Sequence, residues 1–174
     1  MATGKLNYTP SKTIREFMLS DHPMRAVMGP VGSGKTTGAI VELLRRAIQM
    51  PKGIDGLRHS VMLVVRNTKQ QLKDTTLASV TELLPVEIWK WKESDFAMYF
   101  NFNDVRSKWL FRSLDTPEDV QRVLSLQVST IWVEEAREIP VGLLSDLEGR
   151  RGRFPSQSPS EDFPDRKASC RERV

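Results

Sequence analysis

The chain has 174 residues, enough for one domain with a sizeable core; 39% are hydrophobic and 28% charged, which fits a soluble globular protein and excludes a disordered one. Net charge is +4 with a pI near 9.4, a mild basic excess that permits a nucleic-acid partner without requiring one. The longest apolar run, Val61–Val65, is too short to span a bilayer, and the single cysteine, Cys170, can neither close an internal disulfide nor build a zinc site.

The N-terminus lacks the apolar stretch of a signal peptide, so residence in the cytoplasm is expected. The stretch Asn7–Ser20 reads as an approach segment and a short helix, opened by Pro10 and Ser11 and carrying Ile14, Phe17 and Met18 at helical spacing. Arg25–Met28 reads as a short apolar strand leading into a loop at Gly29-Pro30. From Lys35 to Gln49, Ile40, Leu43, Leu44, Ala47 and Ile48 fall on one helical face, and Pro51 and Gly53 stop the helix. Ser60–Val65 is a continuous apolar run suited to a parallel strand covered on both faces. A further helix over Lys69–Leu84 places Leu72, Thr76, Val80, Leu83 and Leu84 on one side and ends at Pro85.

Phe96, Met98, Phe100 and Phe102 alternate with period two, and Asn103-Asp104 can turn the chain into a second strand near Lys108–Phe111. A β-hairpin insertion near 96–111 is therefore expected. Thr116-Pro117-Glu118-Asp119 has the cap, proline and acids of a helix start. Ser129–Val133 is the last strand, and Val141, Leu143, Leu144 and Leu147 mark a last short helix. The series is an α/β signature, a mostly parallel sheet flanked by helices. After Phe154 the sequence turns polar and loses all periodicity, so 1–154 reads as one domain and 155–174 as a disordered or foreign tail.

Gly29-Pro30-Val31-Gly32-Ser33-Gly34-Lys35-Thr36 fits the phosphate-binding pattern G-x-x-x-x-G-K-[ST] in full. Glycines at 29, 32 and 34 let main-chain N–H groups close around phosphate oxygens, the helix beginning near Gly34 adds its dipole, and Thr37 in its first turn belongs to the same nucleotide-binding set. Lys35 sets a positive charge against the β- and γ-phosphates, and the Thr36 hydroxyl is suited to ligate Mg²⁺. ATP with Mg²⁺ is the expected ligand. Glu134 and Glu135 follow the last strand: Glu134 is suited to organise the metal through its water shell, and Glu135 to polarise an attacking water. Taken alone, two solvated carboxylates at a strand end would look the same.

Beyond the P-loop, an ordered series of segments resembles the large terminase subunit of tailed bacteriophages. It comprises Val64-Val65-Arg66-Asn67-Thr68 with Gln71-Leu72-Lys73, then Phe111-Arg112-Ser113-Leu114-Asp115 with Pro117-Glu118. It continues with Trp132-Val133-Glu134-Glu135-Ala136, Glu138-Ile139-Pro140 and Gly149–Pro155. The resemblance implies a RecA-like ATPase region that assembles as a homo-oligomeric ring at the portal protein of a procapsid in the host cytoplasm. There ATP hydrolysis moves double-stranded phage DNA, with a small terminase subunit as partner. It further implies that Lys35 and Thr36 are the phosphate and Mg²⁺ residues, Glu134 the metal-organising acid and Glu135 the catalytic glutamate. Tyr8 falls where the family contacts adenine. Many members carry an arginine inside the P-loop, where this chain has Val31 and Gly32. Arg122, Arg150, Arg151 and Arg153 are candidate arginine fingers; Arg66, at a strand end, could couple nucleotide state to motion or form a plain ion pair.

The family's nuclease domain has no counterpart in this sequence, which reads as a truncated large subunit. Loss of strands after Ser129–Val133 is expected to leave a sheet edge unpaired. Two alternatives follow: an inactive remnant that at most binds nucleotide, and an unrelated P-loop helicase or DNA-remodelling ATPase.

Overall fold

Residues 8–155 are described in the computed structural model. From the N-terminal side come α1 (Lys12–Leu19), α2 (Lys35–Gln49), β1 (Arg58–Arg66) and α3 (Lys69–Gln71). A π-helical turn (Leu72–Leu77) leads into α4 (Ala78–Leu83), followed by β2 (Trp89–Lys92), β3 (Ala97–Phe102) and β4 (Val105–Ser113). The series closes with α5 (Pro117–Ser125), β5 (Thr130–Val133) and α6 (Val141–Glu148).

The five strands form one mixed sheet in the order β2-β3-β4-β1-β5. β1 pairs in parallel with β4 over its whole length, Arg58 opposite Val105 and Arg66 opposite Ser113, and with β5 from Met62 opposite Thr130. β3 is antiparallel to β4 and β2 to β3. The expected hairpin is β3–β4, turned at Asn103, whose φ of 45° is tolerated by a short polar side chain. It lies within the sheet, since β4 continues past Phe111 to lie beside β1.

Alternation along the central strands sorts the core into two layers. Met62 and Val64 of β1, Trp109 and Phe111 of β4 and Met98 and Phe100 of β3 face Ile40, Leu43 and Ala47 of α2, with Leu72 and Val80 behind them. Leu63, Val65, Ala97 and Leu110 face the other way, onto Val123 of α5, Ile139 ahead of α6 and Leu147 within α6. Both layers exclude water almost completely, which is why β1 can be apolar at successive positions. The result is helices on both faces of a sheet, as the α/β pattern requires.

The strand expected at Arg25–Met28 does not form. Among the described residues, no backbone hydrogen bond joins this segment to β5, whose only partner is β1. Met28 is 92% exposed. Arg25 is instead drawn to the helices: its Nη1 donates to the carbonyl of Phe17 at 2.8 Å and its Nη2 to Glu42 Oε1 at 2.7 Å. The tail from Ser156 onward lies outside the described residues, as do residues 1–7.

Candidate functional site

The Gly29–Thr36 loop leads directly into α2. Gly34, at φ 78°, sits in the left-handed region as the helix N-cap, and Gly32 has the same φ; both angles strain a residue with a Cβ. The opening N–H groups of α2, on Lys35, Thr36 and Thr37, have no intrahelical carbonyl ahead of them, and they and the helix dipole form an anion-favouring corner. Lys35 folds back over the loop, its Nζ donating to the carbonyls of Gly29 and Pro30 at 2.8 Å each and approaching Ser33 Oγ at 3.4 Å. Ser33 N–H closes the turn on the Pro30 carbonyl at 3.3 Å. Val31, at the tip, is fully exposed.

Glu134 meets the loop across the sheet end. Its N–H bonds the Val65 carbonyl at 2.9 Å, continuing the β1–β5 ladder one step, which points the side chain toward α2. Thr36 Oγ1 donates to Glu134 Oε1 at 3.0 Å. The other carboxylate oxygen accepts from Arg66 Nη1 at 3.1 Å and from the hydroxyl of Thr76. Arg66 Nη1 also donates to Thr75 Oγ1 at 2.6 Å, and Arg66 Nε is buried without a partner. The Arg66 and Glu134 side chains are each 12% exposed, so this ion pair is largely shielded and hydrogen-bonded rather than a solvated surface contact.

The sequence singles out Arg66 but not Thr75 or Thr76. In the sequence Thr76 falls on an apolar helical face; a hydroxyl at a fully buried position needs a partner, and that is the available signal.

Glu135 adopts φ 53° and ψ 50°, an uncommon conformation for a glutamate that turns the chain sharply out of β5. Its carboxylate is about a third exposed and lies 3.2 Å from Arg137 Nε. Tyr8 packs with its hydroxyl near Gly38 in the first turns of α2, where burial pushes its pKa up. A cleft of about 140 Å³ separates α1 from the loop, lined by Ser11, Ile14, Val27, Met28, Pro30 and Lys35 among others.

The finger candidates are placed elsewhere. Arg151 bridges to Val128 and Arg153 N–H bonds the Val128 carbonyl, two residues before β5 begins. That lies six residues before Glu134, about 20 Å along an extended chain. Arg122 is an exposed residue of α5 paired with Asp119 at 3.5 Å. Arg150 N–H closes the end of α6 on the Leu147 carbonyl. Arg66 is the arginine that the structure brings to the loop's acid.

The described residues contain no cluster of three or more His, Cys, Asp or Glu that could hold a metal by itself. Thr36 and Glu134 side by side are nonetheless a suitable oxygen donor set for Mg²⁺, which is bound by few protein ligands together with phosphate oxygens and water.

A glycine-rich loop opening a helix, facing a carboxylate at the end of a parallel strand, defines a P-loop nucleotide-binding α/β fold. The family profile described as phage terminase large subunit matches residues 21–157, and the chain belongs to that family. The solved large terminase from a thermophilic bacteriophage has the same fold, with a TM-score of 0.65 at 12% identity over 82% of this chain and 36% of that one. Its complex with ADP gives 0.56 at 14% identity, over 70% and 29% of the two chains. Its complex with ATP-gamma-S gives 0.54 at 10%, over 70% and 28%. The chain thus spans about a third of the large terminase it matches. A search of curated proteins finds no match.

Proposed function

We propose that this chain is the ATPase region of a phage terminase large subunit, binding ATP with Mg²⁺ at Gly29–Thr36 and hydrolysing it to drive double-stranded DNA into a procapsid. The observation that carries the reading is the 3.0 Å hydrogen bond from Thr36 to Glu134, which joins the loop to an acid 98 positions away in the chain. A glycine-rich turn with no phosphate role gives no reason for that juxtaposition.

Lys35 releases the Gly29 and Pro30 carbonyls and turns its ammonium to the β- and γ-phosphates, while the N–H groups of Val31–Thr37 line the phosphate path. Bound Mg²⁺ supplies charge neutralisation on the phosphoryl oxygens. Thr36 and Glu134 hold its place, and Glu135, on its sharp turn, orients and polarises the attacking water. Tyr8 contacts the adenine side. The partners proposed from the family are the portal protein, the small terminase subunit and further copies in a ring, in the host cytoplasm. No helix among the described residues is long and apolar enough to cross a membrane.

A second reading, nucleotide binding without turnover, draws on one observation: the Arg25–Met28 lead-in is unpaired, so the loop lacks a strand behind it. Steady-state ATP hydrolysis by the wild type, Glu135→Gln and Lys35→Ala separates the two. The proposal expects turnover that falls by about 10²–10⁴-fold in Glu135→Gln. Equal rates in the wild type and Glu135→Gln remove Glu135 from the reaction. Nucleotide-dependent stabilisation without any turnover selects the second reading.

A further inference from the structure

We infer that Arg66, at the end of β1, and Thr76, on the π-helical turn Leu72–Leu77, are positioning residues that aim the Glu134 carboxylate at Thr36; this rests on the reading of Thr36 and Glu134 as the metal-side pair. The carboxylate is held on both sides. Oε1 accepts from Thr36, and Oε2 accepts from Arg66 and Thr76, so rotation about the Glu134 side chain breaks bonds at both ends.

Three features build this arrangement. Thr76 donates to Glu134, whereas its exposed neighbour Thr75 accepts from Arg66 Nη1. Both lie in a π-helical segment, an irregularity frequent at functional sites. The start of the helix is pinned: Thr68 and Gln71 form a reciprocal capping box, and Asp115, two residues past β4, accepts the Lys69 N–H at 2.8 Å. The roles of the two hydroxyls are also fixed. Thr75 Oγ1 accepts from Arg66 and donates to the Gln71 carbonyl at 2.7 Å, which leaves Thr76 as the hydroxyl that donates to Glu134.

Outer partners of metal-side carboxylates typically carry roughly 10–100-fold in metal affinity. The test measures thermal stabilisation, not turnover, with ATP in EDTA and with ATP in a Mn²⁺ titration. The wild type, Thr76→Val, Thr76→Ser and Arg66→Gln are compared, each first shown to melt cooperatively without ligand. The expected result is unchanged stabilisation by ATP in EDTA, with the Mn²⁺ midpoint raised by roughly 10–100-fold in Thr76→Val and Arg66→Gln and restored in Thr76→Ser. Wild-type midpoints in both variants overturn the inference. Should Thr76→Val fail to fold, Arg66→Gln decides in the same assay. A wild type that shows no response to ATP at all instead removes the nucleotide site itself, and the inference with it.

Discussion

Glu42 is the charge on which the approach to the P-loop is anchored, and its removal gives a measurable loss. It is 4% exposed in the middle of α2 and accepts from three guanidinium groups. Arg25 Nη2 lies 2.7 Å from Oε1, Arg46 Nε 2.8 Å from Oε1, and Arg45 Nε 2.6 Å from Oε2. Arg45 in turn holds the Met18 carbonyl at 2.7 Å, and Arg25 that of Phe17, so α1 and the segment before the loop hang on this carboxylate. In Glu42→Gln the amide oxygen can keep the Arg25 and Arg46 bonds, but its NH₂ faces the Arg45 donor. Breaking a buried pair costs about 3–5 kcal/mol; Arg45 and Arg46 are each about a third exposed, which reduces the expected loss to about 2–3 kcal/mol. For a domain of this size that is a fall in melting temperature of about 4–12 °C. The pH dependence follows. Burial alone pushes the Glu42 pKa up, but the hydrogen bonds from Arg45, Arg46 and Arg25 outweigh it and hold it below the ordinary 4.5. A depressed folded-state pKa contributes stability that is present above the unfolded value and is lost as pH falls through the folded value. Melting curves at stepwise pH from neutral to about pH 3 should therefore converge for the wild type and Glu42→Gln at the acid end. Parallel curves, or a neutral-pH difference under about 1 °C, would refute the role of Glu42.

Gly38→Ala should destabilise the fold despite alanine's better helix propensity. The added methyl lies 2.6 Å from Ile14 Cγ2, so α1 must move off α2, an overpacking cost of about 1–3 kcal/mol, read as a lower urea midpoint. Glu135→Gly should relieve the left-handed backbone at φ 53° and hold or raise stability by up to about 1 kcal/mol while abolishing hydrolysis; a clear drop in melting temperature would show that the turn carries no strain. Thr116→Ala removes the hydroxyl that caps α5 through the Asp119 N–H at 3.1 Å, and should lower stability by about 1 kcal/mol in denaturant titration.

Much of this architecture is legible residue by residue. The spacing of Ile40, Leu43, Leu44 and Ala47 marks α2 to its observed ends, Asn103-Asp104 marks the β3–β4 turn, and Thr116-Pro117 marks the start of α5. These are local signals, in which period, cap and turn chemistry act within a few residues. Arg25–Met28 misleads because its apolar character satisfies the pattern of a strand, whereas a strand also needs a neighbour, and Arg25 is held by Glu42 on the helices. The short β2, with Trp89 and Trp91 against β3, carries too few residues for a period to stand out. Within the site, the loop and Glu134 announce themselves by type and spacing. The bonds from Arg66 and Thr76 to Glu134 do not, because they join residues 68 and 58 positions apart through the sheet order and a π-helical turn that no periodicity encodes.

The most direct test of the central claim is the melting temperature of the wild type and Lys35→Ala with and without Mg·ATP. At a ligand concentration 100 times the dissociation constant, the wild type should gain about 2.7 kcal/mol of stability and Lys35→Ala little or none. A well-folded wild type that does not shift, or a Lys35→Ala variant that shifts as far, would contradict a nucleotide site at Gly29–Thr36.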